Sequence, residues 1–351
     1  AVGTVTGGGT NTISFGTPVA ANSTASFSVS VVYLAATNKV VLMYKETDGK
    51  CMCGTTDASS ETMTFGAEET FSSGSVDYME RGAFYDSDTE RVVVCYGDSS
   101  NDGKACLIAN TTGTTLVAYT AVTFESGEPY KVAGCYDTAQ NKGVVIWVDH
   151  SESDYLKSMA LTIVGGVTNS ITLGAEVIAL SASSQHCCTT FDATAGKVVA
   201  LYKNTSVAGE VNAGTVSGTG ASATITWDTG IVVDSSYLEY PGIAYDPDAG
   251  KTILLYSSGS NSEHGYGQVY TVAYGSTNLT AENYIGISNA AYSSSATATI
   301  QVVGAVDDAQ TSLTAGQTYY ISFDGSLVLT PIVPSVVAGT AVSATKLIVK
   351  G

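Results

Sequence analysis

The sequence has few basic residues. Fourteen lysines and arginines stand against 32 aspartates and glutamates, which gives a net charge of −18. A field of that sign repels phosphate backbones and anionic membranes, so the composition argues against nucleic acid as a partner. It leaves neutral glycans, cations and proteins as the favoured partners.

Long apolar runs and helical periodicity are also lacking. No stretch approaches the length that spans a membrane, and the given sequence does not open with a charged-then-apolar leader, so we expect no membrane insertion. A chain that opens with Ala1 inside a strand is expected to be processed or to be a piece of something longer. With 37 glycines, 44% hydrophobic residues and no helical pattern over three turns, the composition predicts an all-β protein with many turns.

The residues of several catalytic and metal sites are scarce. The three histidines are isolated from one another in the sequence, so no Ser-His-Asp arrangement can be argued. The seven cysteines lack two pairs at zinc spacing, and an odd number leaves at least one thiol unpaired. Buried free thiols are the favoured interpretation, with a disulfide between Cys95 and Cys106, which lie symmetrically about a turn, as the alternative.

What the sequence does have is a repeat. An aromatic residue, an acidic turn and a basic-plus-apolar run recur along the chain, most clearly from Tyr85 to Tyr96. The leading aromatics are 51 to 55 residues apart, at Tyr33, Tyr85, Tyr136, Phe191 and Tyr245. A fixed period of this size predicts stacked or radially arranged units.

Each unit is predicted to hold four antiparallel strands. Two of them flank the acidic turn, whose Asp is expected to cap the turn through the backbone; a third follows a Gly/Ser/Asn-rich hairpin, and a fourth ends in a large apolar residue such as Trp227. Four short strands in a unit of about 50 residues are typical of a β-propeller blade. The sequence therefore predicts a five-bladed β-propeller over residues 1–275.

The fifth unit lacks a fourth strand. We expect Thr12 to Phe15 to supply it beside Gln268 to Ala273, which would close the ring and remove exposed sheet edges. A larger ring with further blades upstream is the alternative. After Gly275 the period stops, and residues 276–351 are predicted to form a small C-terminal β domain that shares its thin core with partner chains.

These repeats resemble a known group of proteins. The pattern "GTVSGT…TITW…YD…AGKTILLY" looks like the repeats of tail-fibre and other appendage proteins of tailed bacteriophages, and the stretches from Leu313 to Tyr320 and Gly339 to Leu347 resemble the small module that follows them. The resemblance implies a virion structural protein at the virion surface or outside the cell, a homotrimer bound to other virion proteins, that recognises a host-surface glycan. It carries over no catalytic residue, so the protein is expected not to be an enzyme.

One row of residues is the candidate ligand site. Five positions before each leading aromatic, at the start of what would be the innermost strand, lie Ser28, Glu80, Lys131, His186 and Tyr240, with Arg81 and Glu239 adjacent. If these starts ring a channel mouth, the row makes a modestly polar pocket. Exposed tyrosines, namely Tyr237, Tyr240 and Tyr266, could stack on sugar faces.

Three alternatives stay open. Glu80 and Glu239 are the only acids in the row that could serve as the two carboxylates of a glycan-cleaving enzyme. A glycan-binding, lectin-like propeller outside a virion and a purely architectural decoration are the other two. No organic cofactor is expected; calcium is left open at Asp98 and Asp102, in a loop with oxygens at alternate positions before Gly103.

Overall fold

The computed structural model describes residues 3–6, 12–57, 59, 61–205, 208–236, 238–259, 264–272, 284–290, 292, 297–321, 326–329 and 336–350. It divides the chain into two compact units, Ala1–Thr271 (the first unit) and Val272–Gly351 (the second unit). The predicted boundary after Gly275 lies outside the described residues. Strands make up nearly all of the regular structure, and the all-β prediction is confirmed.

The aspartates of the repeat cap the turns between the first two strands of each sheet. Asp137 Oδ1 accepts hydrogen bonds from the backbone N–H groups of Ala139 and Gln140, at 2.9 and 3.0 Å. Asp86, Asp192 and Asp246 make the same kind of bond to their own turns. The interpretation of the repeated aspartates as turn caps is therefore confirmed.

The first half of the first unit consists of a hairpin and two sheets. The hairpin is β1 (Gly3–Thr6) and β2 (Thr12–Phe15). The first sheet is β3 (Phe27–Leu34), β4 (Lys39–Lys45), β5 (Gly49–Asp57), β6 (Thr62–Phe65) and β7 (Glu69–Ser72). The second sheet is β8 (Val76–Asp77), β9 (Ala83–Asp86), β10 (Arg91–Asp98), β11 (Gly103–Thr112), β12 (Thr115–Ala118) and β13 (Val122–Glu125).

The second half holds three more sheets. The third is β14 (Pro129–Asp137), β15 (Lys142–Asp149), β16 (Tyr155–Val164) and the start of β17 (Ser170–Asp192). The fourth is the end of β17, β18 (Lys197–Asn204), β19 (Ala208–Ser217), β20 (Thr224–Trp227) and β21 (Ile231–Asp234), with one 3-10 turn at Gly220–Ser222. The fifth is β22 (Leu238–Asp246), β23 (Lys251–Ser258) and β24 (His264–Tyr270).

The outer strand of the repeat differs from the prediction of one short fourth strand. In the first, second and fourth sheets it is split into two pieces that pair with opposite ends of the third strand, as β6 and β7 do with β5. In the third sheet it is continuous, and β17 runs on to become the innermost strand of the fourth sheet. The recurring runs such as Glu69–Ser72 and Ile231–Asp234 are the second pieces.

The sheets stack face to face in chain order because alternate residues of each middle strand enter different cores. On β10, Val92 enters the core shared with the first sheet, and Val93 enters the core shared with the third. On β15, Trp147 faces the second sheet and Ile146 faces the fourth. A strand buried on both faces reads as a continuous apolar run, which is why these strands contain stretches such as Val92-Val93-Val94.

The predicted closure by the N-terminal strand is not found. Thr12–Phe15 pairs with Gly3–Thr6, and within the described residues β24 pairs with β23 alone. The hairpin lies instead against the first sheet, where Ser14 Oγ donates a hydrogen bond to Glu61 Oε1 at 2.8 Å. The hairpin already holds its own copy of the third strand, so β2 takes that partner. A closed five-bladed ring is therefore not shown.

The seven cysteines are buried free thiols. The register pairs Val94 with Cys106, so Cys95 lies one position away and points to the opposite face. Cys106 accordingly belongs to the core between the first and second sheets, and Cys95 to the core between the second and third. The alternative disulfide is not formed.

The second unit is a small antiparallel β structure with its own core. One hairpin is β25 (Gly286–Ser288) and β26 (Ile300–Val302), and a five-stranded sheet holds β27 (Val306–Asp307), β28 (Thr318–Ile321), β29 (Leu327–Val328), β30 (Val337–Ser343) and β31 (Lys346–Val349). Tyr284, Tyr319 and Leu347 are among its buried side chains. Its predicted role in trimer formation stays a prediction.

In the part of the chain that is described, no helix is long and apolar enough to cross a membrane.

Candidate functional site

The innermost strands of four sheets carry an irregularity at the same place. The pairing register shifts between Phe27 and Ser30, Tyr130 and Ala133, Ser184 and Cys187, and Glu239 and Gly242. A bulge of this kind adds a residue that the partner strand does not match, which bends the strand and re-aims a side chain. The residues inside these bulges include Ser28, Lys131, His186 and Tyr240.

Three of these bulge residues have a left-handed backbone. The φ angles are 48° at Ser28, 53° at Lys131 and 48° at Tyr240. L-residues other than glycine rarely adopt this conformation, and it costs about 1–3 kcal/mol at a bulky residue. The surrounding sheets maintain that strain at one end of the innermost strands.

The second sheet reaches the same place by a different route. Its innermost strand is interrupted between β8 and β9, and the connecting residues include Glu80 and Arg81. Arg81 is anchored to the third sheet, because its carbonyl accepts a hydrogen bond from Gly134 N–H at 2.8 Å. A Cβ on Gly82 would come within 2.0 Å of the Cys95 carbonyl oxygen, so only glycine fits at this close approach.

All five residues of the periodic row line one cavity of about 290 Å³. Arg81 lines it as well, so the structure brings together six predicted residues: Ser28, Glu80, Arg81, Lys131, His186 and Tyr240. Residues from all five sheets therefore meet at one cavity. Glu239 does not line the cavity but contacts His186 from behind.

Two carboxylates at the cavity, Asp77 and Glu239, have basic partners. Asp77 pairs with Lys45 at 2.6 Å, and Glu239 pairs with Lys203 at 2.6 Å and with His186 Nε2 at 2.7 Å. Burial opposes ionisation of Glu239, but the hydrogen bonds from Lys203 and His186 and the charge of Lys203 outweigh it, so the pKa of Glu239 is lowered. Glu239 is therefore an ionised ion-pair partner at neutral pH.

His186 is held neutral. Burial lowers its pKa, and although Glu239 raises it, the charges of Lys131 and Lys203 add to the lowering. The net pKa lies below the ordinary value, so at pH 7 the ring donates a hydrogen bond to Glu239 rather than carrying a charge. His186 is a positioned polar wall of the cavity.

Arg81 and Lys131 have no carboxylate at ion-pair distance among the described residues. Arg81 Nη1 donates to the Cys187 carbonyl at 3.3 Å. Lys131 Nζ lies over two aromatic rings, 4.5 Å from the centroid of Tyr130 and 5.5 Å from that of Tyr78. Tyr78 also lines the cavity, and sequence reasoning missed it because it falls outside the row.

Tyr240 is the exposed aromatic of the site. Its side chain is 73% exposed, and its ring centroid lies 5.9 Å from that of His186. Tyr266 lies elsewhere, stacked on Tyr256 in the fifth sheet. Tyr237 lies outside the described residues.

A glycosidase arrangement finds no support in the contacts. Glu239 is occupied by Lys203 and His186, and Glu80 lines the cavity without a contact to it among the described pairs. Glu239 is thus held ionised by its two partners.

Asp98 and Asp102 lie in a hairpin turn and do not line the cavity. Asp98 Oδ1 accepts hydrogen bonds from the backbone N–H groups of Ser100 and Asp102, and Lys104 Nζ lies 2.8 Å from Asp102 Oδ2 and 3.6 Å from Asp98 Oδ2. Within the described residues no group of three or more His, Cys, Asp or Glu side chains could hold a metal ion. The calcium site stays a prediction.

The sequence has no match among protein-family models or curated proteins. Solved structures with a similar fold include a protein assigned as a 6-phosphogluconolactonase from Bacteroides uniformis (13% identity, 70% of this chain and 68% of that one, TM-score 0.47). They also include AofleA from Arthrobotrys oligospora (10%, 76% and 74%, TM-score 0.47). A third is the intramolecular trans-sialidase from Ruminococcus gnavus, bound to oseltamivir carboxylate (13%, 64% and 51%, TM-score 0.41).

These neighbours correct one expectation. The sequence predicted that the protein is not an enzyme, but a lactonase and a trans-sialidase are enzymes. The fold does not exclude catalysis, and the exclusion is withdrawn. None of the three is described as a phage appendage, so the resemblance to tail-fibre proteins stays a prediction.

Proposed function

We propose that the first unit is a glycan-binding module of five propeller-like blades, and that its ligand occupies the cavity where the five sheets converge. The observation that carries the proposal is the convergence itself. Each of the five repeats pairs its own strands, and each contributes the residue at the same repeat position to one cavity. Support comes also from the bulges, because such irregularities are frequent beside binding sites.

The cavity has the size and the lining that a sugar unit needs. Its volume of about 290 Å³ lies near the lower end of small-molecule pockets and suits one or two rings better than a large ligand. Ser28, Glu80 and Arg81 offer hydrogen-bonding groups for hydroxyls. The ring of Tyr240 offers an apolar face with a polar tip at the opening, which is the arrangement that stacks on the C–H face of a sugar.

A glycan array with the full chain tests the proposal. Tyr240→Asn removes the ring while placing a residue that tolerates the left-handed backbone, and it is expected to weaken glycan binding by about fivefold to tenfold. Tyr33→Ala is the matched control, since Tyr33 is exposed on β3 and does not line the cavity.

If the full chain binds no glycan on the array, the proposal is wrong. Equal binding by wild type, Tyr240→Asn and Tyr33→Ala would overturn the placement of the ligand in this cavity. Attachment to a host surface from a phage particle, expected from the resemblance, would use the same site and is a separate prediction.

A further inference from the structure

The charge in the cavity has the opposite sign to the charge of the chain. The chain carries −18 overall, with 14 basic residues among 351. Yet two of those basic residues, Arg81 and Lys131, come from different sheets to line one cavity, and the described residues give neither of them a carboxylate partner.

Arg81 keeps most of its donors free. The guanidinium has five N–H donors, and within the described residues one hydrogen bond from it is found, to the Cys187 carbonyl. That bond fixes the orientation of the planar group without neutralising it. A planar cation with free donors matches an anionic group that accepts two parallel hydrogen bonds.

Lys131 is held in place by rings rather than by a counter-ion. The faces of Tyr130 and Tyr78 stabilise the ammonium group by an amount that is typically about 0.5–2 kcal/mol, but they leave its positive charge uncompensated. The left-handed bulge at φ 53° aims this side chain into the cavity. The strained backbone at Lys131 therefore places a cation at the cavity.

The acidic residues nearby do not cancel these charges. Asp77 is paired with Lys45, and Glu239 is paired with Lys203 and His186. Glu80 is the remaining carboxylate of the lining, and it forms no ion pair with Arg81 or Lys131. The lining holds two cations and two carboxylates, and because Lys45 offsets the charge of Asp77, a net positive charge remains at the cavity in an acidic protein. A charge of that sign attracts an anionic ligand and gives a neutral sugar no electrostatic advantage.

We propose, resting on the glycan-binding function above, that the ligand is an acidic sugar whose anionic group is bound by Arg81 and Lys131 while its ring stacks on Tyr240. This ligand differs from the neutral glycans that the composition favoured, together with cations and proteins, as partners. Carboxylate and sulfate groups share the required chemistry. The experiment separates them by using both kinds of sugar.

The test compares matched probes by isothermal titration calorimetry on the full chain. Tri-galacturonate is compared with its carboxyl-reduced, neutral counterpart, and a sulfated galactose trisaccharide with its desulfated form. An acidic probe is expected to bind at least about tenfold more tightly than its neutral partner, as a charge-assisted hydrogen bond provides. Preference for the uronate or for the sulfated sugar identifies the anionic group.

Arg81→Gln is expected to remove about tenfold of the affinity for the acidic probe and to weaken any binding of the neutral one by much less, because glutamine keeps a hydrogen-bond donor but not the charge. Arg91→Gln is the matched control, because it makes the same charge change at the only other arginine of the chain, which bonds to Asn169 instead. Lys131→Asn gives a second test that does not depend on the folding of Arg81→Gln, since asparagine tolerates the left-handed backbone.

The outcomes separate the two proposals. Equal binding of acidic and neutral probes, with Arg81→Gln indistinguishable from Arg91→Gln, would refute the acidic ligand and leave the glycan-binding function standing. Failure of every probe here and of every glycan on the array would refute both.

Discussion

The second strands of the fourth and fifth sheets have similar sequences but lie in different environments. Leu201 on β18 and Leu255 on β23 occupy the same repeat position, one residue before the aromatics Tyr202 and Tyr256. Leu201 is completely buried, whereas Leu255 is 55% exposed. The strands on which they lie pair with their neighbours in the same antiparallel way.

The difference shows that pairing and burial have separate causes in this repeat. Pairing follows from the turn and from β-branched residues within one unit. Burial of the second face requires another sheet against it, and the fifth sheet has Leu255 and Val269 exposed on that face. The first sheet shows the same pattern on β3, where Val31 and Tyr33 are exposed and Val32 and Leu34 are buried. Three predictions use this comparison.

The largest effect is expected at the position on the third strand that pairs with the aromatic residue of the second strand. In the third sheet it holds Lys157, which is nearly buried and whose Nζ lies 2.7 Å from the buried Asp149 and 2.7 Å from Glu152. In the fifth sheet it holds Tyr266, which is 40% exposed. Lys157→Met leaves the buried Asp149 without its counter-charge and should cost about 3–5 kcal/mol of unfolding free energy.

Urea titration followed by tryptophan fluorescence measures this cost. Tyr266→Met is the control and should cost under about 1 kcal/mol, because an exposed side chain leaves no cavity. Equal losses in the two variants would mean that the third and fifth sheets are equally enclosed in solution.

The second prediction compares the two leucines directly. Leu201→Ala opens a cavity in a closed core and should lower the free energy of unfolding by about 2–5 kcal/mol. Leu255→Ala removes the same atoms from a half-exposed site and should lower it by under about 1 kcal/mol. The same urea titrations measure both. A large loss at Leu255 would show that something covers the outer face of the fifth sheet in solution.

The smallest effect concerns the turn caps and appears as a dependence on pH. Asp137 in the third sheet is fully buried, and its Oδ2 has no hydrogen-bond partner among the described residues. Burial raises its pKa to about 6, against the backbone hydrogen bonds from Gln140 and Ala139. Because the folded-state pKa lies above the unfolded value, the protonated form stabilises the fold below about pH 4. That contribution is lost as the pH rises through 6, and it amounts to about 3 kcal/mol.

Asp137→Asn keeps the oxygen that accepts the turn hydrogen bonds and cannot ionise. The difference in unfolding free energy between the variant and the wild type should therefore shift by about 2 kcal/mol in favour of the variant between pH 4 and pH 7, because at pH 4 the unfolded chain is still partly ionised. Taking the difference cancels the titration of other groups. A difference that does not change with pH would contradict the assigned ionisation of Asp137.

The sequence predicted the strands and turns of this fold more completely than it predicted the contacts between sheets. The aromatic and aspartate of each repeat identified the turns, and the row of Ser28, Glu80, Lys131, His186 and Tyr240 named residues that the structure places around one cavity. The bulges and left-handed residues were missed, because nothing in the local sequence of Lys131 or Tyr240 distinguishes a strained residue from an ordinary strand residue. The neutralisation of Glu239 was missed because Lys203 is 36 residues away in the sequence.

The amino-acid sequence by itself determined the strands, the capped turns and the period, because each depends on interactions within a few residues or between neighbouring strands of one repeat. The tertiary structure decided which faces are buried, which cations keep their charge unpaired, and where β2 pairs. Those outcomes depend on which sheet lies against which, and similar repeats do not encode that choice locally. The placement of the first hairpin against Glu61, rather than beside β24, shows this most clearly.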